Sequence, residues 1–111
     1  MNKNDIYKSL IDSINNNKEP VARIHAMDLL CEEFPDQFLS VIISSFSSEQ
    51  SARVRARALK LLGKYKAPEV IEILLKAVED SDKKVKTTAK SVLNKREIIK
   101  YMKTLKGPEK K

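Results

Sequence analysis

Apolar residues recur along this chain at helical spacing, in stripes separated by short polar breaks. Within a stripe the apolar positions fall at i, i+3, i+4 and i+7, which is the pattern of one buried face of an α-helix. The polar breaks lie at residues 15–17, 47–50 and 80–81. The pattern predicts helices at about 4–15, 20–33, 36–47, 51–64, 68–79 and 82–95, with a further helix or extension to about residue 105.

The stripes repeat, and each repeat contains two of them. The first stripes begin at Tyr7, Leu39 and Ile71, each 32 residues after the one before, and the second stripes are separated by 32 and then 31 residues. The second stripes are Ala22, Ala26, Leu29 and Leu30; Val54, Ala58, Leu61 and Leu62; and Val85, Ala89, Val92 and Leu93. Two helices per repeat and three repeats predict a stack of helical hairpins.

Residues suited to helix ends support the same division. Pro20 and Pro68 lie where the first turn of a helix tolerates proline, and Gly63 and Asn94 share a repeat position where a left-handed C-cap is expected. The predicted N-caps are Asn4, Asp36, Ser51 and Asp82.

A family resemblance rests on the second helices. Residues 54–63 read VRARALKLLG and residues 80–89 read DSDKKVKTTA. The first segment resembles the V-R-x-x-A-x-x-A/L-L-G signature of HEAT repeats, particularly the short type first noted in phycobilisome lyases. The second segment resembles the D-x-D-x-x-V-R-x-x-A form of that signature. The first repeat departs from it with Ala22-Arg23, and the third with Lys86 and Asn94.

The resemblance implies an all-α fold, a right-handed α-solenoid of three HEAT-like hairpins at about 4–34, 36–66 and 68–97, within a repeat domain of residues 1–97. A basic C-terminal cap or tail at 98–111 completes the expected organisation. Tetratricopeptide repeats are the nearest rival, but their period is 34 and this chain has no tryptophan. In the HEAT-like family, Arg23, Arg55 and Lys86 correspond to a cation that reaches an acidic residue in the preceding turn and ties hairpins together.

Catalytic chemistry is poorly represented in the sequence. His25 and Cys31 are the only residues of their types, and about 100° of helical rotation per residue points them some 120° apart. There is no glycine-rich phosphate loop, because the only glycines are Gly63 and Gly107. We therefore expect a non-enzyme that needs no cofactor.

The same inventory bears on location. A single cysteine allows no internal disulfide, and no stretch approaches the roughly 18 apolar residues that a membrane span requires. The expectation is a soluble cytoplasmic protein that does not act at a membrane.

One acidic stripe on the first repeat admits two explanations. His25, Asp28 and Glu32 lie at i, i+3 and i+7, a weak set of metal ligands with no second histidine. The repeat favours another role, because Asp28 is equivalent to Lys60 and Glu32 to Lys64. We expect these residues to form ion pairs between neighbouring second helices, with no metal bound.

Charge is distributed unevenly along the chain. Residues 1–50 contain four Lys/Arg and eight Asp/Glu, a net charge of −4, whereas residues 51–111 contain eighteen and seven, a net charge of +11. The second helix of the middle repeat has cations at i, i+4, i+7 and i+11. Second helices line the concave surface of HEAT-like arrays, so the resemblance places this stripe on the usual binding face. The candidate partner- or phosphate-binding residues are Arg53, Arg57, Lys60, Lys64, Lys84, Lys90 and Lys95.

Two functions fit this pattern, together with a neutral explanation. The first is a scaffold or adaptor that binds an acidic protein partner through the second-helix surface. The alternative is sequence-independent nucleic-acid binding by the basic C-terminal half. A merely solvated basic face is the third explanation. Residues 98–105 are expected either to cap the third repeat or to form a basic amphipathic helix for a partner or an anionic membrane surface.

Overall fold

The computed structural model describes residues 2–95 of the 111-residue chain. Within this range the chain forms six α-helices joined by short connections, and the predicted bounds agree with the observed ones to within about two residues. The helices are α1 (Lys3–Asn16), α2 (Pro20–Glu33), α3 (Pro35–Phe46), α4 (Ala52–Leu62), α5 (Pro68–Ala77) and α6 (Lys83–Lys95).

The helices pair as three hairpins, α1–α2, α3–α4 and α5–α6, which stack side by side along the chain. The second helices α2, α4 and α6 pack against one another more extensively than the first helices do. The predicted all-α array of three helical hairpins is confirmed. The predicted C-terminal extension at 98–111 lies outside the described residues.

The apolar stripes form one continuous core along the array. The repeated alanines Ala26, Ala58 and Ala89 are all buried, and their small side chains allow paired helices to approach closely. Larger side chains fill the spaces between hairpins, among them Leu30 and Leu62, which are fully buried. A single hairpin has no second layer against which to bury its stripe, so neighbouring hairpins stabilise one another.

The helix N-termini follow two of the four predicted caps. Ser51 accepts a hydrogen bond from the Val54 amide, and Asp82 accepts one from the Val85 amide at 3.0 Å. The prediction of Asn4 was wrong, because Asn2 caps α1 from two residues earlier. Asp36 was also a wrong prediction. Pro35 occupies the first turn of α3, which puts Asp36 inside the helix and leaves Phe34 at the cap position.

The predicted left-handed C-caps are not formed. Gly63 ends α4 with φ −60° and ψ −14°, in the ordinary right-handed region that any residue adopts. Asn94 lies inside α6, which continues to Lys95. The glycine meets a different requirement, since a Cβ built on Gly63 would lie 2.8 Å from Cγ1 of Val92. It permits close contact between α4 and α6.

Two arginines tie neighbouring hairpins together, as the family resemblance implied, but the acidic residues that they bind are not in the preceding turn. Arg23 forms a two-pronged ion pair with Glu49, and Arg55 forms one with Asp80. Each acid belongs to the connection inside the following hairpin, not to the preceding turn. The same guanidinium groups also donate to carbonyl oxygens in their own preceding connection, such as that of Asn17. Asp80 is thus bound by Arg55, and Lys86 forms no ion pair among the described residues.

Candidate binding surface on the second helices

A shallow groove crosses the second-helix side of the array where α2, α4 and α6 meet. Its volume is about 240 Å³, and its lining combines four cations with two apolar side chains. The lining residues are Ile24, Arg53, Ala56, Arg57, Lys60 and Lys84. The groove therefore contains four of the seven candidate binding residues predicted from the sequence.

Helical spacing explains why these residues meet. Arg53, Ala56, Arg57 and Lys60 stand at i, i+3, i+4 and i+7 of α4, so they share one face of that helix. The neighbouring helices contribute repeat equivalents, since Lys84 lies 31 residues after Arg53 and Ile24 lies 32 residues before Ala56. Stacking of equivalent helices brings equivalent positions side by side.

Arg57 does not stand free in this groove. Its Nε donates to Oδ1 of Asp28 at 2.8 Å and its Nη2 donates to Oδ2 at 3.1 Å, a bidentate pair between α4 and α2. The hydrogen bond to Asp28 raises the pKa of Arg57 further above its usual value, against the opposing effect of burial. Arg57 is thus a fixed, neutralised wall of the groove.

This pair corrects the predicted pairing between repeats. Asp28 was expected to neutralise Lys60 and Glu32 to neutralise Lys64, but Asp28 contacts Arg57, one turn earlier on α4. The reason is reach and geometry, because a guanidinium can bond both carboxylate oxygens at once whereas an ammonium binds as a point charge. Glu32 forms no ion pair within residues 2–95, where three ion pairs are present.

Three cations of the groove remain available for a ligand. Arg53, Lys60 and Lys84 are exposed, and none takes part in the ion pairs of the described region. The other three predicted site residues, Lys64, Lys90 and Lys95, are also exposed but do not line the groove. The structure thus divides the seven predicted residues into a groove set and an outer set.

The apolar part of the groove was missed by the sequence analysis. Ile24 is partly buried and Ala56 is 3% exposed, and together they form an uncharged floor beneath the cations. A signal for them was present, since Ile24 and Ala56 share a repeat position one helical turn from Asp28 and Lys60. Charge singles out only the neighbouring positions, Asp28 and Lys60.

No cluster of three His, Cys, Asp or Glu side chains could hold a metal ion within residues 2–95, and Asp28 is bound by Arg57. Cys31 is buried with its Sγ 3.8 Å from the hydroxyl of Tyr65, and that hydroxyl donates to the Pro35 carbonyl. Burial and the contact with Cys31 raise the pKa of Tyr65 to about 12, so the Tyr65 hydroxyl keeps the proton that it donates to the Pro35 carbonyl.

No described helix combines the length and apolar character needed to cross a membrane. In a comparison with known protein families, the family model described as HEAT repeats matches residues 7–105. No curated protein and no solved structure matches the chain.

Proposed function

Because the chain belongs to the HEAT-repeat family, whose members generally act as protein-interaction scaffolds, we propose that it is a non-catalytic adaptor that binds an acidic protein partner. The binding surface in this proposal is formed by α2, α4 and α6. The observation that carries it is the groove where Arg53, Lys60 and Lys84 are exposed and free of ion pairs among the described residues. The fold leaves the charge of these three cations unpaired within residues 2–95, so an acidic ligand could neutralise it without breaking an existing ion pair.

The outer cations extend the same surface. Lys64, Lys90 and Lys95 are exposed on the turn after α4 and on α6, and would attract an acidic partner over a distance of about a Debye length. Such charges increase the rate of association more than the final affinity. We place the protein in the cytoplasm, where a single buried thiol such as Cys31 stays reduced.

Nucleic-acid binding is the second candidate function. Its support is the net charge of +11 in residues 51–111, which suits counterion release from a phosphate backbone. No aromatic side chain lines the groove, so the groove offers no platform for base stacking. Binding of this kind would be independent of sequence and strongly weakened by salt.

Affinity capture from native lysate, with and without nuclease, distinguishes the two functions. The bait is the wild-type chain, the double variant Arg53→Glu/Lys84→Glu, or the control Lys8→Glu/Lys76→Glu. The control changes the net charge equally but on the exposed surfaces of α1 and α5.

A protein retained by wild type and control after nuclease treatment, and lost by the double variant, supports the adaptor. Loss of all captured material after nuclease treatment favours nucleic acid. Equal retention by all three baits contradicts the proposed surface.

A further inference from the structure

The groove between α2, α4 and α6 has the size of one or two side chains. Its volume of about 240 Å³ lies below the roughly 300–1,000 Å³ typical of small-molecule and cofactor pockets. The groove is also open to solvent along the helices that form it. These dimensions favour a side chain on an extended partner surface over a free small molecule.

The chemistry of the groove changes from one side to the other. On the α2 side it presents Ile24 and the neutralised Arg57–Asp28 pair, and on the α6 side it presents Lys84 beside Arg53 of α4. Arg53 and Lys84 are repeat equivalents on neighbouring helices, whose axes in such packing lie about 8–10 Å apart. An acceptor placed between these helices can contact both cations.

The position of Asp28 sets the orientation of such a ligand. A carboxylate brought to the α2 side would approach the Asp28 carboxylate, although Arg57 neutralises part of that repulsion. An aliphatic group carries no charge for Asp28 to repel, and it can bury its surface against Ile24 and Ala56. The groove therefore suits an acid on one side and an aliphatic group on the other.

We infer that this groove recognises a protein segment presenting a carboxylate side chain to Arg53 and Lys84 and an adjacent aliphatic side chain to Ile24 and Ala56. This inference rests on the proposed adaptor function and specifies the chemistry of its partner. A phosphate backbone would satisfy the cations but leave the apolar floor uncovered. The bidentate Arg57–Asp28 pair fixes the α2 side of the groove, so little ordering is needed on binding.

The test uses three fluorescent probes and the full chain. The first probe is a ten-residue peptide of alternating Glu and Leu, the second replaces every Glu with Gln, and the third is a ten-nucleotide single-stranded DNA. Anisotropy titrations at fixed salt give the dissociation constants. We expect the Glu/Leu peptide to bind at least about tenfold more tightly than the Gln/Leu peptide.

Variants then assign the binding to the groove. Arg53→Glu and Lys84→Glu should each weaken binding of the Glu/Leu peptide by about tenfold, whereas Lys64→Glu, an equal charge change outside the groove, should weaken it less than about threefold. Ile24→Ser should weaken binding of this peptide but leave the affinity for DNA unchanged. A thermal melt of each variant checks that it is folded. If Arg53→Glu does not fold, the Lys84→Glu variant alone tests the contribution of the groove cations.

Three results would overturn the inference. The first is equal weakening by Lys64→Glu and Arg53→Glu, which would indicate a diffuse charge effect. The second is binding of the DNA but not of the Glu/Leu peptide. The third is a folded Ile24→Ser variant with wild-type affinity for the peptide. If one of these three results is obtained but the lysate experiment yields a nuclease-resistant partner that depends on Arg53 and Lys84, the inference fails and the adaptor function stands.

Discussion

Gly63 shows how one residue sets the spacing between two helices. Its backbone angles are ordinary, so conformational freedom does not explain a glycine there. The explanation is the contact with α6, where an added Cβ would lie 2.8 Å from Cγ1 of Val92. Val92 is itself 9% exposed and held within the core, which restricts its ability to move aside.

We therefore expect Gly63→Ala to lower the free energy of unfolding by about 1–3 kcal/mol through overpacking. Urea denaturation of wild type and variant measures the change. Lys64→Ala, at the exposed neighbouring position, is the control and should change stability by less than about 0.5 kcal/mol. Val92→Ala should restore space for the new methyl group, so the double variant should be less destabilised than the sum of the single changes. Additive losses would show that the methyl group is accommodated elsewhere.

Residue-level contacts across the helices were the hardest feature to predict from the sequence. The sequence showed that an acid at Asp28 would face cations on the next second helix, but Arg57 and Lys60 lie one turn apart on the same face. The choice between them depends on how far α4 slides along α2 and on the reach of each side chain. Neither quantity is contained in the periodicity. The helices themselves could be predicted from the periodicity, because each apolar stripe is a local feature of the sequence.

Repeat equivalence predicts which positions share a role, although burial also depends on place in the array. Leu29, Leu61 and Val92 are equivalent, yet they are 47%, 6% and 9% exposed. The contact between Val92 and Gly63 shows that this position faces the preceding hairpin. Within the described residues, no hairpin lies on that side of the first repeat, so Leu29 is left uncovered.

The expected consequence is a large difference between two identical substitutions. Leu61→Ala removes buried methyl groups and should cost about 2–5 kcal/mol of unfolding free energy. Leu29→Ala removes groups that already contact water and should cost less than about 1 kcal/mol. Chemical denaturation of the two variants under the same conditions provides the comparison. Similar losses at both positions would mean that the outer side of α2 is covered in solution.

The ion pair between Arg55 and Asp80 fastens the second hairpin to the third. Burial alone would raise the pKa of Asp80, but hydrogen bonds from Arg55 and the Asp82 amide, with the charges of Arg55 and Lys86, outweigh it and hold this pKa below its usual value. The two side chains are only 17% and 14% exposed, so solvent screens the pair weakly. The pair therefore contributes to stability in a pH-dependent way.

The sign follows from the lowered pKa. Stabilisation is present above the ordinary Asp pKa of about 3.9 and is lost as pH falls through the lower folded-state value. Asp80→Asn should therefore cost about 1–3 kcal/mol at pH 7 and progressively less in acid. Urea denaturation at pH 7 and at about pH 3 measures the difference from wild type, and Glu79→Gln is the exposed control. A penalty for Asp80→Asn that is constant with pH would contradict a charge-dependent role.

At the scale of the whole molecule, the chain separates its charge from end to end. A net charge of −4 in residues 1–50 and +11 in residues 51–111 gives the chain a strong electrical polarity. This property was evident from the sequence and indicates that an acidic partner would approach the C-terminal half. It does not distinguish carboxylates from phosphates, because both respond to the same field.

Salt dependence makes that distinction. If the basic half binds nucleic acid, wild-type affinity for single-stranded DNA should fall steeply with salt and be similar for every sequence tested. Arg53→Glu/Lys84→Glu should then reduce the slope of log affinity against log salt by roughly 0.7 for each phosphate that the protein no longer neutralises. These two residues are the proper choice because both are exposed in the groove and neither takes part in the ion pairs of residues 2–95. A change at Arg57 would also break its pair with Asp28, so an effect on DNA affinity could not be separated from an effect on stability. Wild-type protein that fails to bind DNA even at low salt would exclude the nucleic-acid function and leave the groove for an acidic protein segment.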